Sequence, residues 1–391
     1  MKCKMRFILK SVTVVTSIIG CFVVFHSCLG ERNDYGRKGT DEYTMELAED
    51  KMLLLDSMTA QTVNYMQLIG DTALAIFNSS MNDICLFDWA TGKERYKISL
   101  HKEGPNAVKG IRGFYYQSKD SIWLYNEWEK DLYLVDADGN LKEKKRLRNL
   151  LYPVAKVSYS VSPYPQTNVP IGKVGDKLIL QGMNDVISAG VLPAATILYD
   201  WSADKLDIKN PYPSVYANKD KINDEWNTFA YRQIPYTLNG KKEIVSGFPA
   251  SDSLVVYNVN TDSYASFFAG YSEETDIKPY ASTSRTATHR NYLEQYQYTS
   301  ILYDTYRNLY YRLVVLPKTD YDLNDTATQQ KDLAVIILDK DFKKVGEYRL
   351  EHDRYMYVNS FVVSDGLCIN VFSEDDDYLK FKVLNVIENK K

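Results

Sequence analysis

The stretch "ICLFDWATGKERYKISL", Ile84 to Leu100, decides the fold. An apolar run closes on Asp88, a polar turn follows, and a second strand-like run leaves the turn. The phrase returns as "LYLVDADGNLKEKKRL" (Leu132–Leu147), "TILYDWSADKLDI" (Thr196–Ile208), "LVVYNVNTDSYASFF" (Leu254–Phe268), "AVIILDKDFKKVGEYRL" (Ala334–Leu350) and "LKFKVLNVIEN" (Leu379–Asn389). Its marker residues are Asp88, Asp136, Asp200, Asn258, Asp339 and Asn385, separated by 48, 64, 58, 81 and 46 residues. Recurrence at such intervals marks a repeat architecture, and propeller blades run about 40 to 50 residues.

Working outward, each phrase is preceded by another strand and a short connection, as in "DTALAIFNSSMND" before the first and "DSIWLYNEWEKD" before the second. With one more strand leading in, the unit is a four-stranded antiparallel meander, repeated six times. The runs "SIWLY", "DLYLV", "LVVY" and "LAVIIL" are apolar throughout rather than alternating. Such runs suit strands covered on both faces, the condition met inside a propeller blade with a neighbour on each side. The expected fold is therefore all-β, a six-bladed β-propeller, with helix confined to short insertions in "NDEWNTFAYRQ" and part of "RNYLEQYQYTSILY". The longer spacings imply inserted loops, notably "SAGVLPAA", "VYANKDKINDEWNTFAYRQ" and Asp320–Asp332. The last unit lacks an outer strand, and Glu42–Asp50 is expected to supply it and close the ring, since an open sheet edge invites unwanted pairing. Only the rims and the central hole would then be free for partners.

The N-terminus carries Lys2, Lys4, Arg6 and Lys10 ahead of a short apolar run from Ser11 to Phe25. A basic segment followed by a short apolar core is the plan of a secretory signal, and the core is shorter than the roughly 20 residues of a spanning helix. Ser27 stands before Cys28, and the chain then turns polar at "GERNDYGRKGTDE". This resembles the lipobox of bacterial lipoproteins, whose cysteine is acylated after cleavage. The match is loose, because Phe25 and His26 replace the usual Leu and small residue. "IIGC", ending at Cys21, is a rival box, but cleavage there would leave an apolar mature end. The resulting plan is a signal over residues 1–27, lipidated Cys28 with a flexible tether over 28–41, and one propeller over 42–391. Each buried lipid CH₂ contributes about 0.8 kcal/mol and stable attachment takes more than one chain, which by resemblance the lipoprotein cysteine carries.

Removing residues 1–27 takes away four of the 47 basic residues and none of the 51 acidic ones, leaving a net charge of −8. No basic block remains to favour nucleic acid. Besides the anchor, only Cys85 and Cys368 remain, each inside an apolar run. Two thiols make no disulfide framework; buried free cysteines are the plainer reading, with a single bond between them left open.

"LHKEGPNAVKGIRGFYY", Leu100 to Tyr116, contains Glu103, Gly104, Pro105 and Asn106. The phrase resembles the "EGPNGVG" element of Bacteroidetes lipoproteins of the domain of unknown function 4221 type, with Ala107 in place of the second glycine. Signal, tether, length and strand-rich body agree with that family. The resemblance implies a β-propeller and no activity. Physically, Gly104 and Pro105 make a sharp turn, so these four residues are read as a structural turn delivering a strand to the channel side of a blade.

Candidate chemistry is sparse. His101, His289 and His352 are far apart in sequence, with no paired spacing. "DYDLND", Asp320–Asp325, opens like a calcium loop, but Asp325 occupies the glycine position and Lys331 the closing glutamate position. No metal or cofactor is expected. The segment "ASTSRTATHRNYLEQYQY", Ala281–Tyr298, gathers Arg285, His289, Arg290, Tyr292 and Tyr296. Aromatic faces take sugar rings and arginine forks carboxylates, so these five are the candidate ligand-binding residues. The plainer reading has the tyrosines covering blade edges and the arginines solvated. The sequence thus leads to a lipid-anchored outer-membrane propeller that binds or scaffolds a glycan or protein ligand without catalysis. A glycan hydrolase or lyase using the channel, and a subunit of a surface assembly, are the alternatives. The oligomeric state is open.

Overall fold

The apolar runs fold as the strands of six antiparallel sheets arranged in a ring. The computed structural model describes residues 39–148, 161–184, 194–216, 229–273, 277–278, 280 and 284–389. The expected signal, Cys28 and most of the tether lie outside the described residues. Strands β1 (Tyr43–Leu47) and β2 (Lys51–Leu54) come first. Blade one holds β3 (Met66–Ile69), β4 (Ala73–Asn78), β5 (Asp83–Asp88) and β6 (Glu94–Ser99). Blade two holds β7 (Ile111–Ser118), β8 (Ser121–Asn126), β9 (Asp131–Val135) and β10 (Leu141–Arg146). Blade three has a divided first strand, β11 (Val161–Pro163) and β12 (Gly172–Val174), then β13 (Lys177–Asn184), β14 (Ala194–Asp200) and β15 (Lys205–Pro211). Blade four holds β16 (Tyr236–Leu238), β17 (Ile244–Gly247), β18 (Ser253–Asn258) and β19 (Ser263–Phe268). Blade five holds β20 (Gln297–Asp304), β21 (Leu309–Val315), β22 (Leu333–Leu338) and β23 (Lys344–Arg349). Blade six holds β24 (Tyr355–Val363), β25 (Gly366–Val371) and β26 (Tyr378–Glu388).

The two-sided burial expected of the middle strands is what seals the ring. On β5, Cys85 and Phe87 pack toward blade six, while Ile84 and Leu86 pack toward blade two. On β22, Ala334, Ile336 and Leu338 face blade four, and Leu333, Val335 and Ile337 face blade six. Successive side chains of a strand point to opposite faces, so a continuous apolar run fills two interfaces at once. The fourth strands of blades one, two and four, by contrast, are largely exposed, as "ERYKIS" of β6 and "LKEKKR" of β10 show, whereas β23 of blade five is buried at Lys344–Gly346. Cys85 and Cys368 are buried free thiols in the same interface, between blades six and one.

Five marker residues act as the sequence suggested. Asp88, Asp136, Asp200, Asn258 and Asp339 each end or follow the third strand, and the Oδ1 of each accepts a backbone N–H two to four residues on. Asn385 differs. It lies inside β26 and pairs with Glu46, because the sixth blade takes its outer strand from the other end of the chain. β1 covers Leu384–Glu388 of β26 and β2 covers Tyr378–Phe381, so Tyr43–Leu54 closes the ring in two consecutive pieces. The N-terminal segment also touches blade five: Thr40 N–H donates to the Lys344 carbonyl (3.2 Å) and Glu42 N–H to that of Val345 (2.8 Å). Gly346 is needed there, since a Cβ on it would lie 2.2 Å from the Tyr43 carbonyl oxygen.

The helices are short. Phe229–Arg232 forms one turn, and α1 (Arg285–Glu294) is capped by the Ser284 hydroxyl, which accepts from Ala287 N–H. Of "RNYLEQYQYTSILY", Arg290–Glu294 is helix, and Gln297–Asp304 is β20, whose first residues are buried against blade four.

The central hole is not an open bore. Between β11 and β12 the chain crosses it as the loop Tyr164–Ile171. Thr167 Oγ1 donates to Asn359 Oδ1 (2.7 Å) and accepts from Met66 N–H (3.0 Å). Asn168 Nδ2 donates to the Thr299 carbonyl (2.5 Å), and the Tyr236 hydroxyl donates to the Pro170 carbonyl (2.9 Å). This plug ties blade three to blades one, four, five and six. It corrects the expectation of a free central hole. On the face where the first strands end, the hole survives as a depression of about 340 Å³, with Leu68, Tyr115, Lys173, Leu238, Tyr303 and Val362 each contributed by a different blade.

Candidate functional site

The opposite face, the entry face, is where the first strand of each blade begins, and it carries the Asp320–Asp332 loop; most of the other two expected insertions lies outside the described residues. A groove of about 210 Å³ runs there between blades one and two. One wall is Thr59–Tyr65, leading into β3, with the β4–β5 turn Phe77–Ser80. The other wall is Gly110–Arg112, opening β7, with Glu127 and Trp128 of the β8–β9 turn. Trp128 is 75% exposed, the most exposed large apolar side chain among the described residues. Its position is built rather than incidental. Asn126 is buried, its Oδ1 accepts from Trp128 and Glu129 N–H (2.8 and 2.9 Å), and its Nδ2 donates to the Lys109 carbonyl (2.6 Å). Gly110 has φ +62° and lies against the Asn126 amide, where a Cβ would come within 3.0 Å.

Beside the indole, Arg112 Nε lies 3.6 Å from Glu127 Oε2, and both side chains are mostly buried. The separation is too long for a hydrogen bond, and both atoms are buried without a hydrogen-bond partner. The other face of the guanidinium is covered by Tyr164 of the plug, 3.9 Å from the ring centre. The groove therefore offers an exposed apolar plate and the hydroxyl and amide groups of Thr59, Thr62, Asn64, Ser79 and Ser80, with the Arg112–Glu127 ion pair buried beside it. Such a set suits a ligand that is apolar on one face and hydroxylated at its rim.

Sequence reasoning missed this groove. Its signal was a tryptophan inside a polar turn, "NEWEKD", between two apolar runs. The phrase Glu103–Asn106 lies in the loop that leads to its wall. Gly104 has φ +82°, its carbonyl accepts from Ala107 N–H (3.1 Å), and Asn82 Nδ2 fastens the loop through the carbonyls of Leu100 and Val108. Glu103, Gly104 and Pro105 are exposed, and β7, which follows, is the innermost strand of blade two.

Of the five candidate ligand residues, His289 and Tyr292 lie together, their rings stacked with centres 6.2 Å apart. Arg285, His289 and Arg290 are exposed on α1, and His289 Nε2 is 2.7 Å from Gln329 Oε1 of the Asp320–Asp332 loop. The Tyr296 hydroxyl donates to Glu273 (2.5 Å). Tyr292 alone of the five lines the entry-face mouth of the central hole, with its hydroxyl 2.7 Å from that of Tyr357. Under α1, Lys331 is buried with its ammonium donating to the carbonyls of Tyr292 (2.7 Å) and Gln295 (2.6 Å). Burial pulls its pKa down to about 7. In the loop read as a broken calcium site, Asp322 and Asp325 are used as turn caps, accepting from Asn324 and Ala327 N–H.

Comparison with known proteins places the fold. A family model described as "Domain of unknown function (DUF4221)" matches residues 43–349, from β1 to the end of blade five. A solved member of that family from Bacteroides vulgatus ATCC 8482 is similar with a TM-score of 0.74 at 20% identity, covering 90% of this chain and 100% of its own. A solved exported-protein candidate from Bacteroides fragilis NCTC 9343 is similar with a TM-score of 0.55 at 12% identity, covering 90% of this chain and 97% of its own. The search of curated proteins gave no match.

Proposed function

This chain belongs to the DUF4221 family, a domain of unknown function, and we propose that it is a non-catalytic, lipid-anchored propeller that binds a glycan on its entry face. The observation that carries the reading is the exposed plate of Trp128 in a groove lined by Thr59, Thr62, Asn64, Ser79 and Ser80. A pyranose has one face of C–H groups and a rim of hydroxyls, the complement of that arrangement. The address rests on the basic, then apolar, N-terminus and on Cys28, which the tether would join to the outer membrane.

The test is a glycan-array screen of the wild-type chain and Trp128→Ala. The expected result is a bound glycan class, at least tenfold weaker in Trp128→Ala, with the melting temperature unchanged. Equal binding by both chains, or no binding by the wild type, overturns the groove. Cys28→Ala should move the protein from the membrane to the soluble fraction; retention would assign the anchor elsewhere, with Cys21 next to be replaced.

A further inference from the structure

We infer that the depression where the first strands end, on the face opposite the groove, is a site for a small amphipathic anion, a carboxylate on an aromatic or short aliphatic body. Lys173 and Tyr115 would hold the carboxylate, and apolar side chains of the other blades would cover the body. The site uses no residue of the groove and does not depend on the glycan reading. At about 340 Å³ the depression has the size of a small-molecule pocket, and such pockets combine a mostly apolar wall with a few placed polar groups. Its floor is the plug, at Pro170 and Ile171. Leu68, Leu238, Leu302 and Val362, from blades one, four, five and six, line its wall and stay half-exposed. Single exposed apolar side chains are ordinary on a surface. Four converging in one hollow leave apolar area that a ligand of matching shape would take out of water.

The strongest donors stand on one side, on the first strands of the adjacent blades two and three. Lys173 is half-exposed and is the one charged residue among the described residues lining the depression. Its ammonium lies 3.3 Å from the Gln117 amide oxygen, and no described carboxylate is within ion-pair distance of it. Acids outnumber bases in this chain, 51 to 47, so a lysine left with an amide for its partner stands out. The half-exposed Tyr115 reaches toward the floor. Its hydroxyl is near enough to those of Tyr65 and Tyr236 to add to the rise in their pKa values. Those two hydroxyls bond the plug, accepting from Ile171 N–H (2.9 Å) and donating to the Pro170 carbonyl (2.9 Å). The Tyr115 hydroxyl donates to no described group, and burial raises its own pKa, so its proton stays in place. An ammonium and a phenol O–H are two donors for one carboxylate, and hydrogen bonds to a charged group are the strong ones. A cationic ligand would meet Lys173 with no carboxylate on the wall to offset it, and a polyol would leave the four apolar side chains uncovered. A charged head on an apolar body satisfies both parts of the wall.

The experiment is titration calorimetry of the full chain in detergent, against a detergent blank, with hexanoate, benzoate and phenylacetate and the primary amide of each. Wild type is compared with Lys173→Gln, Lys173→Arg, Val362→Trp and Trp128→Ala. Lys173→Gln removes the charge at a half-exposed position, and Val362→Trp fills the hollow. The expected result is an acid that binds wild type and Trp128→Ala alike, binds Lys173→Gln at least tenfold more weakly, recovers in Lys173→Arg and is lost in Val362→Trp. Which acid binds tells an aliphatic body from an aromatic one. No binding by any of the acids, or an amide that binds as tightly as its acid, overturns the inference. Undiminished binding of the acid to Lys173→Gln or to Val362→Trp does the same. Loss in Trp128→Ala would seat the acid in the groove and also overturn it. The glycan array reads the groove separately, so either site can fall while the other stands.

Discussion

The guanidinium carbon of Arg312 lies 3.7 Å from the centre of the Tyr298 ring, and neither side chain is open to solvent. Arg312 sits on β21 of blade five and donates to the carbonyls of Ala269 (3.0 Å), Ser251 (2.6 Å) and Phe248 (3.4 Å) of blade four. Tyr298 N–H donates to the Pro249 carbonyl (3.1 Å), and the Tyr298 hydroxyl accepts from Tyr271 N–H (3.1 Å). The two residues thus fasten blade five to the loops at the entry end of blade four. Burial lowers the Arg312 pKa to about 10, which leaves it charged at neutral pH.

Arg312→Met should therefore destabilise the ring. The substitution removes the cost of burying a charge but strands the carbonyls of Ala269 and Ser251, each worth about 1–3 kcal/mol when left unpaired, while Phe248 keeps the Ser251 N–H. Stranding wins, with an expected net loss of about 3 kcal/mol, read as a lower denaturant midpoint at unchanged slope. An unaltered midpoint would show that the cross-blade bonds contribute nothing.

Gly346→Ala should loosen the closing strand. A Cβ there meets the Tyr43 carbonyl oxygen at 2.2 Å, and overpacking of this kind costs roughly 1–3 kcal/mol. The expected readout is faster amide exchange across Tyr43–Leu47 and the paired residues of β26, with the plug loop protected as before. Exchange unchanged at β1 would rule the clash out.

Asn126→Ala should disorder the glycan plate without touching Trp128 itself. It deletes the acceptor of two backbone N–H groups and the donor to one carbonyl, that of Lys109. Stability should fall by about 1–3 kcal/mol, and glycan affinity should fall toward that of Trp128→Ala. Full affinity in a destabilised Asn126→Ala would mean that the turn does not position the indole.

Lys331 gives a pH dependence of definite sign. Its pKa is about 7 in the folded chain against an ordinary 10.5. Between these values the unfolded chain holds a proton that the folded chain has lost, so Lys331 makes stability rise with pH, by at most about 1.4 kcal/mol per pH unit. Below pH 7 both states are protonated and this slope vanishes. Lys331→Met should flatten the wild-type rise between pH 7 and 10. A parallel dependence in the variant would assign the slope to other groups.

The fold was legible because its signal is local and repeated. "ICLFDW" and "LAVIIL" bury both faces, and the Asp or Asn after the third strand caps its own turn within four residues; both facts follow from composition and spacing along the chain. Asn385 misled because it copies the phrase at the one place where the turn is absent. Nothing near it in sequence says that the fourth strand comes from Tyr43–Leu54, more than 300 residues away. The open hole was misjudged for the same reason: Thr167 and Asn168 look like ordinary loop residues until Asn359 and Thr299 stand opposite them.

What the chain by itself determined was the repeat: six amphiphilic meanders whose continuous apolar strands can be satisfied only by a neighbour on each side, and a spare segment at the front to finish the last one. Tertiary structure alone decided where a ligand can sit. The groove joins residues 59–65 to residues 110–128, and the depression on the other face joins Tyr115 and Lys173 to Val362, because ring closure brings distant segments to one rim. Burial of apolar surface is written into every strand, whereas the convergence of side chains from different blades depends on the angle between blades, which no single stretch encodes.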